Sequence, residues 1–322
     1  IINLCIISSI MAIGVNLQWG YGGLFNAGVM GFTALGGLTA VLVSHDPIYE
    51  AWDKAGVGII ISTIIFILSI TALLFVFRNI ENKQIRNTLI ILIIFFGLIG
   101  INNFYGPSIN IIESIDPAKT GFLGGLGLPI IFSWLIAAVV AGLVAWVIGK
   151  ITLRLRSDYL AIATLGISEI VIAVVKHEDW LSRGVKNVSG LDRPVPYEIE
   201  LQESQWFLNL IESINFSKLE AINSLTSRQD VLNDLVISSS GIFVKLCYAG
   251  LFFSVLLLIF YLSQLALNSP WGRMLRAIRD NEEAASAMGK NIFVQHLQIF
   301  IIGSAIIGIA GAMLTTLDGQ FT

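Results

Sequence analysis

The sequence has little charge. Only 13% of its 322 residues are Asp, Glu, Lys or Arg, about half the ~25% usual in soluble domains. So few charges cannot cover a water-exposed surface of this size. With 55% hydrophobic residues, the class that remains is an all-α, polytopic membrane protein. The formal net charge of −3 excludes a broad basic surface for nucleic acid. Cys5 and Cys247 both sit in apolar runs and make neither a disulfide framework nor a metal site. His45, His177 and His296 lie far apart, with no ligand spacing to one another or to a cysteine, so no metal centre is expected. His177-Glu178-Asp179 reads as a solvated polar turn. A phosphate loop of the form G-x-x-x-x-G-K-[ST] is also missing: Ile151 follows Gly149-Lys150, and Val144 stands where the first glycine belongs. The chain therefore lacks the backbone cradle that binds nucleotide phosphates, and we expect no enzyme. Asn187-Val188-Ser189 and Asn215-Phe216-Ser217 match the glycosylation sequon, a pattern short enough to arise by chance.

What is present is a series of apolar runs. A bilayer core of about 30 Å needs about 20 apolar helical residues. No charge occurs from Ile1 to His45, long enough for two crossings with a junction near Gln18-Trp19-Gly20-Tyr21-Gly22-Gly23. Further spans are predicted at Val57–Phe77, a short one at Asn87–Ile101, then Pro129–Ile148, Tyr159–Val175, Leu246–Leu265 and Leu297–Leu317. That gives about eight transmembrane or re-entrant helices in one transmembrane domain, 1–322. No basic region precedes the first run, so we read the N-terminus as incomplete rather than as a signal peptide. Thr316 to Thr322 ends without a charged tail, and an incomplete C-terminus is expected too.

Lys and Arg in short loops set orientation. Arg78, Lys83 and Arg86 follow the third span, Lys150, Arg154 and Arg156 the fifth, and Arg273, Arg276, Arg279 and Lys290 the seventh. These three loops hold ten of the 19 Lys and Arg and alternate correctly to share the cytoplasmic side. The opposite short loops hold Lys54 and Lys119 beside Asp46, Glu50, Asp53, Glu113 and Asp116. Residues 176–240 form an extracytoplasmic insertion too long for a plain connector. It is predicted to carry an amphipathic helix around Trp206–Ile211 and a second helical piece from Leu219 to Leu235. A cap over the helix ends and a docking place for an outside partner both fit it.

The cytoplasmic loop 268–291 is longer than a connection needs. Ser269-Pro270 suits a helix start, and Gly289 suits the end of a second short helix. The result is a compact charged knob fit for another protein's groove. Glu283-Ala284-Ala285, three residues and Gly289 match the E-A-A-x-x-x-G signature of ABC importer permeases. The pattern continues with Ile299, but Ile302 replaces its proline. Pro270-Trp271-Gly272-Arg273, with Leu275-Arg276-Ala277-Ile278-Arg279-Asp280, resembles the branched-chain amino-acid permeases in particular. Two further stretches are similar to that group, Trp19 to Phe32 with Gly36-Gly37, and Asp158 to Gly166 with Glu169-Ile170. Ser189-Gly190-Leu191 resembles the outer loop that follows.

The resemblance covers most of the chain. It implies an ABC importer permease fold in a bacterial inner membrane. Its implied partners are a second permease subunit, two ATPase subunits holding ATP and Mg, and a periplasmic binding protein. The chain itself would hold no cofactor. The coupling residues would be Arg276, Arg279, Asp280, Glu282, Glu283, Ala284, Ala285 and Gly289. A solvated juxtamembrane loop is the plainer reading of the same residues.

Glu169 interrupts an apolar span. A carboxylate in lipid costs about 2.5–3.5 kcal/mol on insertion scales, so an interior pair, a cavity or the substrate ammonium should receive it. Asn26, Gly28 and Gly31, with Thr164 and Gly166, fit either tight helix packing or a broken helix lining a pathway. Ser304-x-x-x-Gly308 reads as packing. Transport of urea or short amides, and a self-contained ion-coupled transporter, are the alternatives. The second would need more ionisable residues within the spans.

Overall fold

The computed structural model describes residues 1–80, 82–115, 121–155, 157–182, 188–216 and 225–321. Asp116, Lys119, Arg156, Asn187 and Leu219 lie outside the described residues. Helices dominate, and the only strands among the described residues are Val188–Ser189 and Gln320–Phe321. Among the described residues, seven helical stretches are long and apolar enough to cross a membrane, and an eighth, Val29–Ser44, is a shorter apolar helix.

The residues divide into two compact units. The first comprises Ile1–Ser44, Leu128–Ala173 and Ser189–Phe321. It opens with α1 (Ile2–Asn16), a π-helical turn (Leu17–Tyr21) and, after a non-helical passage, α2 (Val29–Ser44). The second unit contains α3 (Val57–Asn79) and α4 (Lys83–Ser114), a helical hairpin. The first unit then continues with α5 (Ile130–Thr152) and with α6 (Ser157–His177) as far as Ala173. Two short helices, α7 (Glu198–Glu203) and α8 (Gln205–Ile214), precede α9 (Leu225–Asn268). The knob is α10 (Pro270–Asp280) and α11 (Glu282–Ala287), and α12 (Ile292–Asp318) ends the series.

Helix α12 is the centre of the first unit, with 61% of its most apolar stretch buried against 6% for α4. Inside a bilayer, helices gain little from hiding apolar surface from lipid, so close backbone approach must hold them together. Small residues on α12 supply it. A Cβ at Gly14 of α1 would stand 2.7 Å from the Gly303 carbonyl oxygen, and one at Gly36 of α2 would strike the Gly308 carbonyl. On the α5 side, Ala137, Ala141 and Ala145 are fully buried, and Trp134 donates its indole N–H to Thr316 Oγ1 at 3.0 Å.

In the second unit the same device zips α3 to α4. Gly58 meets Ser108 and Gly97 meets Ser69, an antiparallel register. Near that hairpin's end, Trp180 Nε1 donates to Glu178 Oε2 at 2.7 Å, and Tyr105 Oη donates to the same oxygen at 2.8 Å.

Two elements run longer than the sequence pattern predicts. The fourth span is not Asn87–Ile101 but the 32-residue α4. Asn102-Asn103 and Pro107 look like an end. The helix nevertheless passes through Pro107, and Ser108 Oγ bonds back to the Phe104 carbonyl at 2.7 Å. Likewise Leu235 ends no separate piece, because α9 runs unbroken through 44 residues. Ser238-Ser239-Ser240 looks like a break. The Ser240 hydroxyl instead returns to the Ile237 carbonyl at 2.8 Å and satisfies its polarity within the helix. The amphipathic helix expected around Trp206–Ile211 is α8. Its Phe207 and Ile211 are buried, and Phe207 packs edge-on to Phe243 of α9 at 5.6 Å between ring centroids. Gln202 Nε2 adds a hydrogen bond to Ser240 Oγ at 3.0 Å.

Candidate functional site

The chain breaks between α1 and α2, where glycines make a continuous helix weak. A break in an apolar bundle frees backbone groups that must find partners. Gln18, 1% exposed, sits at its centre. Its Nε2 donates to the Phe300 carbonyl at 2.9 Å and to Ser304 Oγ at 3.0 Å, both on α12. Its Oε1 accepts from Asn26 Nδ2 at 2.9 Å. Asn26 Oδ1 in turn accepts from the Gly28 N–H at 2.9 Å, closing an Asx turn into α2.

Helix α6 completes the joint with two hydroxyls one turn apart. Thr164 Oγ1 accepts from the Ala27 N–H at 3.2 Å, and Ser168 Oγ accepts from the Gly31 N–H at 2.8 Å. The second of these satisfies one of the N–H groups that a helix start leaves without an internal partner. The approach is close enough to require glycine. An added Cβ at Gly28 would lie 2.5 Å from the Thr164 carbonyl oxygen, and at Gly31 2.8 Å from Ser168 Oγ. The void between them is about 10 Å³, no more than one water needs. This joint is packed and carries no open solute pocket.

The expected pathway residues therefore separate. Asn26, Gly28, Gly31 and Thr164 meet in the joint, while Gly166 and Glu169 lie on the exposed face of α6. No side chain stands within 4 Å of a Cβ built at Gly166. Glu169 makes no hydrogen bond or ion pair with any described residue, so the interior pair the sequence favoured is not found among them.

At one end of the same bundle sits the knob. Its apolar side is embedded, with Leu275 and Ile278 0% exposed. Arg273 Nη1 and Arg276 Nη2 donate to the carbonyls of Asn268 and Leu267 at 3.2 and 3.4 Å. These are orphan acceptors at the end of α9, where positive charge is favoured. Trp271 Nε1 donates to Gln298 Oε1 at 2.9 Å, fastening α10 to α12. Asn281 caps α11 by accepting from the Ala284 N–H at 2.9 Å, and Gly289 leaves it at φ +76°, the left-handed region.

Arg279 joins knob to break. Its Nη1 donates to the Gly20 carbonyl at 2.5 Å, while Nε and Nη2 hold Asp280 Oδ1 at 3.1 and 2.9 Å. The knob's outward surface is left to Glu283, Ala284 and Met288, the last 80% exposed. Of the expected coupling residues, Arg276 and Arg279 are thus engaged with their own chain, and Ala285 is buried. Glu282 Oε1 stands 3.6 Å from His296 Nε2. Sequence reasoning missed Gln18, Ser168 and Ser304 as bonding partners. The one signal was a polar residue inside an apolar run.

A broken helix bonded to a charged knob is the framework against which comparison with known proteins becomes decisive. Residues 1–320 match the family described as branched-chain amino acid transport system / permease component. The chain belongs to that family. It is thereby a polytopic membrane protein and a transport component rather than an enzyme. It is similar to the high-affinity branched-chain amino acid transport system permease protein LivM of Escherichia coli K12, with 28% identity over 184 residues. That match covers 57% of this chain and 39% of the relative. Against the probable branched-chain amino acid transport permease protein LivM of Methanocaldococcus jannaschii, identity is 25% over 183 residues, 56% of this chain and 41% of that protein. The matched part thus spans about two fifths of the curated relatives. No solved structure matches the chain.

Proposed function

We propose that the chain is the membrane-spanning permease subunit of an ATP-driven importer for branched-chain or other hydrophobic amino acids. Its place is a bacterial inner membrane, with the knob on the cytoplasmic side and residues 176–240 outside. Its partners are a second permease subunit, two ATPase subunits that carry ATP and Mg, and a periplasmic binding protein that delivers the substrate. The observation that carries this reading is the hydrogen bond from Arg279 to Gly20, which ties an exposed charged knob to the helix break between α1 and α2.

In this mechanism an ATPase groove grips Glu283, Ala284 and Met288 by charge-assisted and apolar contacts. Movement of the gripped knob reaches the break through Arg279. It spreads from there through Gln18 to α12 and through Thr164 and Ser168 to α6. The exposed face of α6, with Gly166 and Glu169, then lines the pathway at the seam with the second permease subunit. A carboxylate there meets water, a donor or a substrate ammonium instead of lipid. A self-contained ion-coupled transporter is disfavoured, because Glu169 is the only carboxylate in the middle of an apolar run and the knob would have no use.

The test is a pull-down of the ATPase subunits with the tagged chain, paired with amino-acid uptake. Glu283→Lys reverses charge on the gripped surface, and Gly289→Pro removes the left-handed turn that ends α11. Both are expected to lose bound ATPase and uptake. Wild-type co-purification and uptake in both variants would overturn the assignment.

A further inference from the structure

The transport reading leaves one large cavity unused. It measures about 680 Å³ and lies in the first unit, where the end of α5, the start of α6, the break and the start of α12 meet. That size falls within the range of small-molecule sites, about 300–1,000 Å³. Leu155, Leu160 and Phe293 give it apolar walls, and Arg154, Glu282 and His296 face it with polar groups.

Arg154 is not spent on the other two, which stand 3.6 Å from each other. The Arg154 guanidinium stacks over the Phe293 ring at 5.7 Å, and no described carboxylate pairs with it. His296 is 7% exposed, and its Nε2 stands 3.6 Å from Glu282 Oε1, within ion-pair reach. An anion alone would meet Glu282, and a cation alone would meet Arg154. Opposite charges around one apolar-walled cavity select a ligand that carries both.

We propose that this cavity binds a zwitterion with an apolar body. Its carboxylate or phosphate meets Arg154, its ammonium meets Glu282, and its apolar part lies along Leu155, Leu160 and Phe293. The His296 imidazole supplies a further hydrogen bond. Two sources share this chemistry, a free aliphatic amino acid and the headgroup of phosphatidylethanolamine. Arg154 follows the end of α5 and Glu282 begins α11, so an occupant ties the knob to α5 and restrains it. The binding claim stands whether or not the transport reading does.

The experiment uses the purified full chain. One arm measures saturable binding of radiolabelled leucine by equilibrium dialysis in nanodiscs of phosphatidylglycerol. The other measures phosphatidylethanolamine retained over phosphatidylglycerol, by native mass spectrometry from mixed nanodiscs. Arg154→Gln, Glu282→Gln and Leu155→Trp, which narrows the cavity, are each expected to weaken binding about tenfold or more. Arg154→Lys, which keeps the charge, retains binding, and all four variants keep the wild-type unfolding temperature. Saturable leucine binding assigns the site to a free amino acid, and selective lipid retention assigns it to the headgroup. Absence of both, or binding indifferent to the three weakening substitutions, overturns the proposal.

Discussion

Arg279 donates a 2.5 Å hydrogen bond to the backbone carbonyl of Gly20, a residue 259 positions away in the chain. The acceptor lies in the π-helical turn where α1 ends, and the donor lies in the last turn of the knob helix α10. Arg279 is 40% exposed, so water screens this contact below the about 1.5–3 kcal/mol of a hydrogen bond to a charged group. Below that contact the Gln18 amide reaches α12, and Thr164 and Ser168 of α6 hold the start of α2. One polar thread therefore runs from an exposed surface to the centre of the bundle.

The glycines of the joint divide sharply by what surrounds them. Gly28→Ala and Gly31→Ala place a methyl 2.5 and 2.8 Å from α6 atoms, whereas Gly166→Ala meets nothing within 4 Å. Overpacking costs typically 1–3 kcal/mol. Thermal unfolding in detergent should show a clear drop in midpoint for the first two and none for Gly166→Ala. Equal midpoints for all three would mean that the joint does not close as described.

Gln18 has both ends of its amide occupied. In Gln18→Leu, the amide of Asn26 loses its acceptor in a buried place, at a cost of about 1–3 kcal/mol. Removing the second polar group as well, in Gln18→Leu/Asn26→Leu, should cost less than the sum of the two single changes. A double-mutant cycle on unfolding free energies reads this directly. Strict additivity would argue that the two amides act independently.

Glu169 should matter for transport and not for folding. Its carboxylate has no partner among the described residues, so Glu169→Gln removes no contact with them. We expect an unchanged unfolding midpoint, unchanged co-purification of partner subunits, and uptake reduced about tenfold, the loss of one charged contact. Wild-type uptake would take Glu169 off the pathway.

Much of this architecture was legible in the sequence because membrane spans are written in long apolar runs and their flanking charges. The break was legible too, since Gly20, Gly22, Gly23 and Gly28 gather where a continuous helix would be costly. Helix ends were harder to read. Asn102, Asn103, Pro107 and the serines 238–240 carry end-like chemistry, but inside a helix the Ser108 and Ser240 hydroxyls bond back to their own turns. Partners were hardest of all. Gln18 stands out as a polar residue in an apolar run, yet nothing local says that Ser304 and the Phe300 carbonyl will meet it. Arg279 looked like a surface charge for another protein, and only the folded chain brings Gly20 to it.

The proposed coupling is tested most directly by Arg279→Ala in the reconstituted complex, measured as amino acid imported per ATP hydrolysed. Glu283, Ala284 and Met288 remain exposed in that variant, so the ATPase subunits should still bind and hydrolyse ATP. With the bond to Gly20 gone, we predict that the transport ratio falls about tenfold, in line with the loss of one charged hydrogen bond. An unchanged ratio would contradict the account, because it would show that the knob drives transport without its hold on the break.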